Sequence, residues 1–346
     1  MPVTNLSTTY NSSNLSAYFQ PVLQRQLVDR ISETLRLNEL ANQVDLPKNA
    51  GSTSVKFFQF DAVADASNVL TLTEGVTPND SRTLGLNSSS VELVQYGEII
   101  QITDKLSFTS LFNVLQEGIK LMGQDAALKA DNISRDVIQT GVDVDGASTT
   151  AKRYVVRPVG TARTFANLKA ATAANSSINT IELLDAVTAL KANKSNPLNG
   201  KFTALVPPQV SRDLFRDTDF LNTLTLGGQE KGMGSIVKGE LGTFYGIRIV
   251  EHTNPFIESS AAVTENTFNA AGDIYSTTVL GENAFGVVKL SGDSPMSPKV
   301  TVLNGPDKSD ILNQVTKAGY KCYYAAKLLN AKRAIVLKSK SNFTAS

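Results

Sequence analysis

The chain has 346 residues, of which 41% are hydrophobic and 19% are charged, a composition typical of globular proteins. Its 33 basic and 32 acidic residues leave a net charge of +1, so no overall field attracts DNA or an acidic membrane. The single Cys322 excludes an internal disulfide, and the single His252 excludes a His-rich metal cage and leaves only one candidate base for a Ser-His-Asp triad.

The first twenty residues are rich in Asn, Ser and Thr. They have neither a basic start nor an apolar centre, so we expect no signal peptide and a cytoplasmic origin. Apolar residues then recur at near-helical spacing, which predicts an amphipathic helix over Leu15–Val44 that ends before Pro47. The apolar stripe of this helix consists of Leu23, Leu27, Ile31 and Leu35. Such a stripe needs a surface to lie against.

Two strand patterns enclose a long polar segment. Val55–Phe60 and Val91–Ile102 have the β-branched and aromatic content of strands, whereas Asp61–Ser90 between them is rich in Asn, Ser, Thr and Gly. Because about 30 polar residues join the strands, we expect an extended hairpin and not a tight turn. A loop of this length is unusual in a compact enzyme, but it suits a protein that reaches onto a neighbour.

The strongest periodicity follows the hairpin. Apolar residues spaced by three or four positions predict one helix of about 30 residues, roughly 45 Å long, that ends near Gly141. Its stripe consists of Leu111, Leu115, Ile119, Met122, Ala126, Ala130, Ile133 and Val137. Gly118 and Gly123 inside it each cost about 1 kcal/mol relative to Ala, so tertiary packing has to hold the helix straight.

The rest of the chain alternates short helices and strands. We predict helices over Ile181–Ala192 and Gln209–Phe215 and a mobile glycine-rich loop over Leu226–Gly246. The predicted strands are Tyr154–Val159, Phe202–Val206, Ile247–Val250, Ile274–Leu280, Ala284–Leu290, Val300–Val302, Tyr320–Leu329 and Ala334–Leu337. The pattern indicates an α+β protein.

No motif for phosphate or calcium binding is complete. Gly232–Ser235 lacks the preceding strand and the correctly placed Lys of a phosphate loop, and Asp143–Gly146 lacks the outer carboxylates of a calcium loop. His252 directly follows Glu251, so the two point to opposite faces of a strand and we expect ordinary hydrogen bonds from His252. Cys322 lies among tyrosines and is expected to be a small buried hydrophobe. We therefore predict no catalytic, cofactor-binding or metal-binding residues.

Charge is distributed unevenly along the chain. Residues 311–346 contain seven Lys or Arg and no acid, which leaves 26 basic and 32 acidic side chains in residues 1–310. The candidate basic face consists of Lys317, Lys321, Lys327, Lys332, Arg333 and Lys338. It is either a positive surface for phosphate or acidic neighbours, or a solvated strand edge on which lysines prevent further pairing, and both alternatives stay open.

The order of these elements resembles the Hong Kong 97-type major capsid fold of tailed phages. Local motifs are similar to those of the capsid family typified by coliphage N-four. The matching stretches are Leu46–Thr53, Leu72–Pro78, Gln95–Gly97 with Ile102–Asp104, and Leu312–Gln314 with Gly319–Lys321 and Ala325–Asn330. Tyr320 stands where that family usually has Trp.

The resemblance implies a capsid fold without enzymatic activity. It assigns residues 1–46 to an N-terminal arm and residues 47–108 to an extended β-hairpin, the E-loop, with flanking peripheral-domain strands. It assigns 109–174 to the spine helix and peripheral domain, 175–305 to an axial domain, and 306–346 to returning peripheral-domain strands.

The resemblance also implies a function and partners. The chain is expected to form hexamers and pentamers of an icosahedral phage head around double-stranded DNA, with a scaffolding protein, a portal and decoration proteins as partners and with no cofactor or membrane. Assembly is expected in the cytoplasm of the bacterial host. The expected interface residues are the arm residues Leu23, Leu27, Ile31 and Leu35 and the hairpin residues Glu74, Asp80 and Arg82. The basic strands would either contact DNA or pair with acidic hairpin residues.

Three other interpretations compete with this one. An encapsulin-type nanocompartment has the same fold but holds an enzyme cargo, and the motifs resemble the phage branch instead. A soluble carboxylate-dependent hydrolase leaves the long hairpin and the arm unexplained. A tail or decoration protein would assemble into trimers or tubes rather than closed shells.

Overall fold

The computed structural model describes residues 37–47, 51–60, 72–77, 85–110, 113–140, 152–155, 164–172, 175–227, 240–258, 273–290, 299–303, 312 and 314–343. The chain divides into two compact units. The first is built from residues 1–53, 92–136 and 287–326, and the second from residues 54–91, 137–286 and 327–346.

The described residues contain both helices and strands. The α-helices are α1 (Leu37–Leu40), α2 (Asp104–Thr109), α3 (Val114–Thr140), α4 (Phe165–Ala170), α5 (Thr180–Ala192), α6 (Pro208–Leu214) and α7 (Thr218–Gly227), and a 3-10 turn covers Ala331–Arg333. The strands are β1 (Asn42–Leu46), β2 (Ser54–Phe60), β3 (Leu86–Glu92), β4 (Val94–Thr103), β5 (Lys152–Val155), β6 (Phe202–Val206), β7 (Glu240–Phe244), β8 (Ile247–Glu251), β9 (Ile257–Glu258), β10 (Ile274–Leu280), β11 (Phe285–Leu290), β12 (Lys299–Leu303), β13 (Val315–Leu328) and β14 (Ala334–Lys340). None of the helices in the described part of the chain has the length and apolar character of a membrane span.

A five-stranded sheet forms the centre of the first unit. Its strand order is β1-β11-β13-β12, and β4 pairs with β13. The long β13 is therefore an inner strand, antiparallel to both β4 and β12. Alternate residues of β13 are buried on one face of the sheet, namely Ala318, Tyr320, Cys322 and Tyr324. The other face carries the intervening residues, among them the exposed Lys321.

Helix α3 confirms the predicted spine helix over 27 residues. Four residues of the predicted stripe are buried, namely Ile119, Met122, Ala126 and Ala130. The buried line then passes to Ser134 and Ile138, while the predicted Leu115, Ile133 and Val137 are only half-buried and Leu111 lies outside the described residues. A straight helix has 3.6 residues per turn, so a contact line that follows the neighbouring sheet drifts away from a strict pattern of three and four.

The second unit contains a seven-stranded sheet in the order β5-β14-β10-β6-β8-β7, with β9 also paired to β10. The inner strands β6, β10 and β14 are buried along their whole length. Their apolar residues form one core with side chains from the flanking helices, including Leu183, Leu190, Val210, Leu214 and Phe220. Pro207 and Pro208 end β6, as predicted, and Pro208 also begins α6, because proline is compatible with the first turn of a helix.

The first predicted helix is wrong over its last residues. Asn42–Leu46 is strand β1, which lies at the edge of the five-stranded sheet. Asn, Val and Asp are modest helix formers, and the pairing with β11 decides the local structure. The described part of the helical pattern is α1, and the pattern before Leu37 lies outside the described residues.

The predicted second hairpin strand is divided in two. The chain changes partner at Leu93, whose N–H donates to the carbonyl of Thr53 at 2.9 Å. Before that point β3 pairs with β2 in a two-stranded sheet, and after it β4 pairs with β13. The hairpin partner of β2 is therefore β3 and not the whole of Val91–Ile102.

The glycine-rich segment predicted as a loop contains a strand. β7 pairs antiparallel with β8, and the register shifts between Glu240 and Gly242. An irregular strand that contains glycine has the same sequence pattern as a loop, which explains the error. Residues 228–239 of the predicted loop lie outside the described residues.

Candidate assembly surfaces

The β2–β3 hairpin exposes large apolar side chains. Phe58 and Phe60 are 64% and 65% exposed on one face of β2, whereas Phe57, directly before Phe58 and on the other face, is buried. A two-stranded hairpin is at best marginally stable in water by itself. Because a soluble surface rarely presents neighbouring aromatic residues without a function, this face indicates contact with another molecule.

A tight turn carries one of the predicted interface residues. The Val76 N–H donates to the Thr73 carbonyl at 3.2 Å, and Gly75 has a φ of +80°. Glycine at the third position of a turn allows this positive φ, and the arrangement leaves Glu74 exposed at the second position. The other predicted interface residues, Asp80, Arg82, Leu23, Leu27, Ile31 and Leu35, lie outside the described residues.

Lys338, predicted as part of the basic face, is buried in β14. Its side chain is 2% exposed, and Nζ donates to Glu258 Oε1 at 2.8 Å and to Ser276 Oγ at 2.6 Å. The ammonium group also lies over the ring of Phe256, 4.7 Å from its centroid. Lys338 is therefore paired with a carboxylate inside the second unit. It is not part of an exposed basic surface, so the prediction for this residue is wrong.

The other basic residues near the end of the chain differ in burial and in hydrogen bonding. Lys340 is buried and donates from Nζ to the carbonyls of Lys169 and Ala171, both at 2.8 Å, and burial lowers its pKa. Arg333 donates to the Glu282 carbonyl at 3.1 Å. Lys327 is half-buried in β13, and Lys332 is exposed in the 3-10 turn.

Two predicted lysines lie together on the open face of the five-stranded sheet. Lys317 and Lys321 are on the face of β13 opposite to Cys322, and β12 adds Lys299, which lies directly across from Lys321. On the other side of β13, Ile99 of β4 lies beside Gly319 and is 72% exposed. We call the group of Lys299, Lys317, Lys321 and Ile99 the lysine face.

None of the three ammonium groups of the lysine face forms an ion pair with a residue that the structure describes. Like charges directly opposite each other on neighbouring strands are destabilising, so within the described part of the chain this surface has an unbalanced positive charge. Lys299 lies outside the basic C-terminal segment. Only the strand register brings it to Lys321, and sequence spacing contains no signal for that register.

The opposite face of this sheet, which packs against α3, presents buried side chains that are not reactive. Burial raises the pKa of Cys322 to about 11, and its Sγ donates to the Tyr96 carbonyl at 3.6 Å. Burial and the nearby Asp125 raise the pKa of Glu98. Cys322 is a buried small side chain, as predicted. These groups stabilise the packing between sheet and helix and provide no exposed nucleophile.

His252 and a polar cavity lie in the second unit. His252 is buried at the end of β8 and donates its backbone N–H to the Val206 carbonyl at 2.9 Å.

A cavity of about 230 Å³ lies among Ser177, Ile178, Asn179, Asp213, Arg216, Asp217 and Asn342. Burial acts to raise the pKa of Asp217, but hydrogen bonds from Thr180 and from the Asp219 N–H outweigh it and lower that pKa. Within the described ranges, no group of three or more His, Cys, Asp or Glu residues is arranged to hold a metal ion.

Comparison with known proteins identifies a family and a fold. A family model described as phage capsid protein matches residues 87–337. No curated protein matches the chain. Among solved structures, the capsid of Ralstonia phage GP4 has a TM-score of 0.63 at 12% identity, with 89% of this chain and 88% of that chain covered.

Two cyanophage capsids are similar to the same extent. The capsid of Cyanophage P-SCSP1u has a TM-score of 0.60 at 18% identity, with 88% of this chain and 87% of that chain covered. The capsid of Cyanophage Pam1 has a TM-score of 0.60 at 16% identity, with coverages of 87% and 89%. These likenesses confirm the predicted α+β fold of the Hong Kong 97 type.

Proposed function

The chain belongs to the phage capsid protein family, and we propose that it builds an icosahedral phage head from hexamers and pentamers. It is a major capsid protein, a structural component of the virion and not an enzyme, and it associates with copies of itself. The observation that carries this conclusion is the family match over residues 87–337, which begins in strand β3 and ends in strand β14.

Shell assembly requires a subunit that makes repeated head-to-tail contacts which close around a symmetry axis. We propose that the arm, residues 1–46, and the hairpin, residues 47–108, make many of these contacts. Phe58 and Phe60 are exposed in the single chain, which supports the proposal that a neighbouring subunit covers this face of the hairpin. Each contact is modest, but linked contacts add up through effective concentration.

The remaining segments supply the body of the subunit in this proposal. Residues 109–174 and 306–346 form the peripheral domain around the spine helix, and residues 175–305 form the axial domain near the ring axes. The head encloses double-stranded DNA and assembles in the bacterial cytoplasm with a scaffolding protein and a portal, and decoration proteins bind it afterwards. Contact with DNA in this proposal is between basic side chains and phosphates, so it is non-specific and weakens as salt increases.

Expression in bacteria with and without the neighbouring scaffold gene tests this function. Light scattering and electron microscopy are expected to show capsomer rings or closed shells of megadalton mass. A monomer under both conditions would contradict the proposal. Shells that enclose an enzyme instead of DNA would favour a nanocompartment, the alternative with the same fold.

A deletion variant tests the role of the arm. Removal of residues 1–36, which keeps the buried Leu37 and Asn38, is expected to leave a folded subunit, measured by circular dichroism, that forms no closed shells. Normal shells from this variant would show that the arm is dispensable.

A further inference from the structure

We propose that the turn Leu72–Thr77 of one subunit docks on the lysine face of a second copy, with the Glu74 carboxylate among the ammonium groups of Lys299, Lys317 and Lys321. This proposal deepens the proposed function, because it rests on head-to-tail assembly, and it names the two surfaces of one contact. Three observations carry it: the unpaired positive charge of the lysine face, the exposed acidic and apolar side chains of the turn, and the match between the two.

The lysine face has positive charge without a counter-charge among the described residues. Lys299 lies directly opposite Lys321 in the register, and Lys317 lies four positions before Lys321 on the same face of β13. An acidic partner placed among these groups removes a like-charge repulsion that the free subunit bears. The face is therefore a better binding surface than one whose lysines are already paired within the subunit.

The lysine face is also open enough for backbone to approach. Gly97 lies across from Lys321, and Gly319 lies across from Ile99, so two positions in the middle of the face have no side chain. A Cβ on Gly97 would come within 2.7 Å of the Tyr320 carbonyl oxygen, which explains why a glycine is needed there. The result is a shallow strip with Ile99 exposed beside the lysines.

The turn has the complementary pattern of side chains. Leu72 and Val76, two positions before and after Glu74, are 71% and 64% exposed. The hydrogen bond from Val76 to Thr73 and the positive φ of Gly75 hold the turn in shape before it binds. A binding element that is already ordered loses less conformational freedom on association. The turn thus offers one carboxylate flanked by two apolar side chains.

The complementarity favours a protein turn over DNA as the occupant. A phosphate backbone neutralises lysines, but it leaves Ile99 in water and gives Leu72 and Val76 no role. The turn places an acid against the lysines and apolar side chains against Ile99, so it buries apolar surface as well as pairing charge. Turn and face consist of different residues, so a contact between them is heterologous, the kind of contact that a head-to-tail ring requires.

Two charge-reversal variants of the full chain test the contact between subunits. Glu74→Lys gives the turn a lysine (a lysine turn) and leaves the lysine face unchanged, so positive charge meets positive charge. The double change Lys299→Glu with Lys321→Glu gives the face two glutamates (a glutamate face) and leaves Glu74 in the turn (a glutamate turn), so negative charge meets negative charge. Each variant alone is expected to need about a tenfold higher subunit concentration to form shells, because like charges then meet at every copy of the contact. Lys332→Glu, a reversal of an exposed lysine outside the face, is the matched control and is expected to assemble normally.

Mixing the two variants separates contact between subunits from contact within one. In an alternating ring, each lysine turn meets a glutamate face and each glutamate turn meets a lysine face. Six-membered rings are therefore expected to form from the mixture, whereas five-membered rings, which cannot alternate, are not. The triple variant with both reversals in one chain is expected to recover both kinds of ring.

Defined results overturn the proposal. Unchanged assembly of either variant, or no recovery in both the mixture and the triple variant, shows that turn and face do not meet. Normal assembly of the face variant combined with weaker binding to a DNA duplex at low salt identifies DNA as the occupant instead. If a reversal variant fails to fold by circular dichroism, Glu74→Gln and the double change Lys299→Gln with Lys321→Gln replace it, and unchanged assembly of these variants contradicts the proposal. If the parent chain forms no rings or shells, the proposed function itself fails, and the docking contact fails with it.

Discussion

The hydroxyl of Ser134 in the spine helix donates a hydrogen bond to the hydroxyl of Tyr324 at 2.7 Å. Tyr324 gives its own proton to Asn38 Oδ1, so the direction of the bond from Ser134 follows from the single proton of a phenol. All three side chains are buried. The chain of bonds joins α1, α3 and β13 of the first unit and ties the end of the predicted arm to the spine helix.

Tyr324→Phe tests the contribution of this chain of bonds to stability. The variant keeps the ring but leaves the Ser134 hydroxyl and the Asn38 amide without a buried partner, so we expect unfolding to cost about 1–3 kcal/mol less. Chemical denaturation of the unassembled subunit measures the difference. Tyr323→Phe, one residue earlier and half-buried on the other face of β13, is the control, and an equal loss in both variants would contradict this explanation.

Lys338→Met tests the buried ion pair of the second unit. The substitution removes the ammonium group and leaves the carboxylate of Glu258, which is 27% exposed, without its partner, so we expect a loss of about 2 kcal/mol in the free energy of unfolding. Adding Glu258→Gln to the same chain is expected to restore most of the loss, because it removes the uncompensated charge. The measurement is thermal and chemical denaturation of the single and double variants. A loss that the second change does not reduce would show that packing and not charge is responsible.

Two glycines of the first unit are expected to differ in their tolerance of alanine. A Cβ on Gly97 meets the Tyr320 carbonyl oxygen at 2.7 Å, and rigid sheet backbone cannot move away, so Gly97→Ala is expected to cost about 2 kcal/mol. A Cβ on Gly118 meets only the Cδ1 of Ile100, the far end of a flexible side chain and not backbone. Alanine also favours the helix by about 1 kcal/mol, so Gly118→Ala is expected to change stability by less than that amount. Denaturation midpoints of the two variants decide the comparison, and equal effects would refute it.

Cys322 is expected to be unreactive in the folded subunit. Burial raises the pKa of its thiol from about 9 to about 11, so the thiolate is scarce near pH 8 and the side chain is inaccessible. A thiol reagent is therefore expected to modify one cysteine per chain only after denaturation. Stoichiometric reaction of the native protein at pH 8 would contradict the burial.

The same shift in pKa gives stability a pH dependence. The folded state keeps the proton of Cys322 at a pH where the unfolded state has lost it, so the free energy of unfolding falls as pH rises from about 9 to about 11. Cys322→Ala is expected to remove this part of the decline, and the measurement is denaturation across that pH range. An identical pH profile in the variant would show that other groups cause the decline.

Much of the fold could be predicted from local sequence patterns. The spine helix and the strands β6 and β10 were predicted within a few residues, because a long 3.6-residue period and short apolar runs between turn residues depend on local chemistry. β1 and β7 were missed, because their strand structure depends on pairing with β11 and β8. Such pairing is a property of the tertiary structure and has no signal in a single segment.

The candidate surfaces could be predicted only in part. The excess of lysines after residue 310 is visible in the sequence, and so is Glu74 as an acidic residue of the hairpin, whereas the turn around it is not. The sequence does not show which lysines are exposed, since Lys338 and Lys340 are buried in β14 together with its apolar residues. The position of Lys299 opposite Lys321 depends on a register that charge counting does not contain.

Cryo-electron microscopy of the particles formed with the scaffold protein tests the central claim most directly. We expect a closed icosahedral shell in which this chain is the repeated subunit of five- and six-membered rings, with the five-stranded sheet and helix α3 recognisable in each copy. A particle whose shell consists of another protein, with this chain bound only as an occasional attachment, would contradict the account.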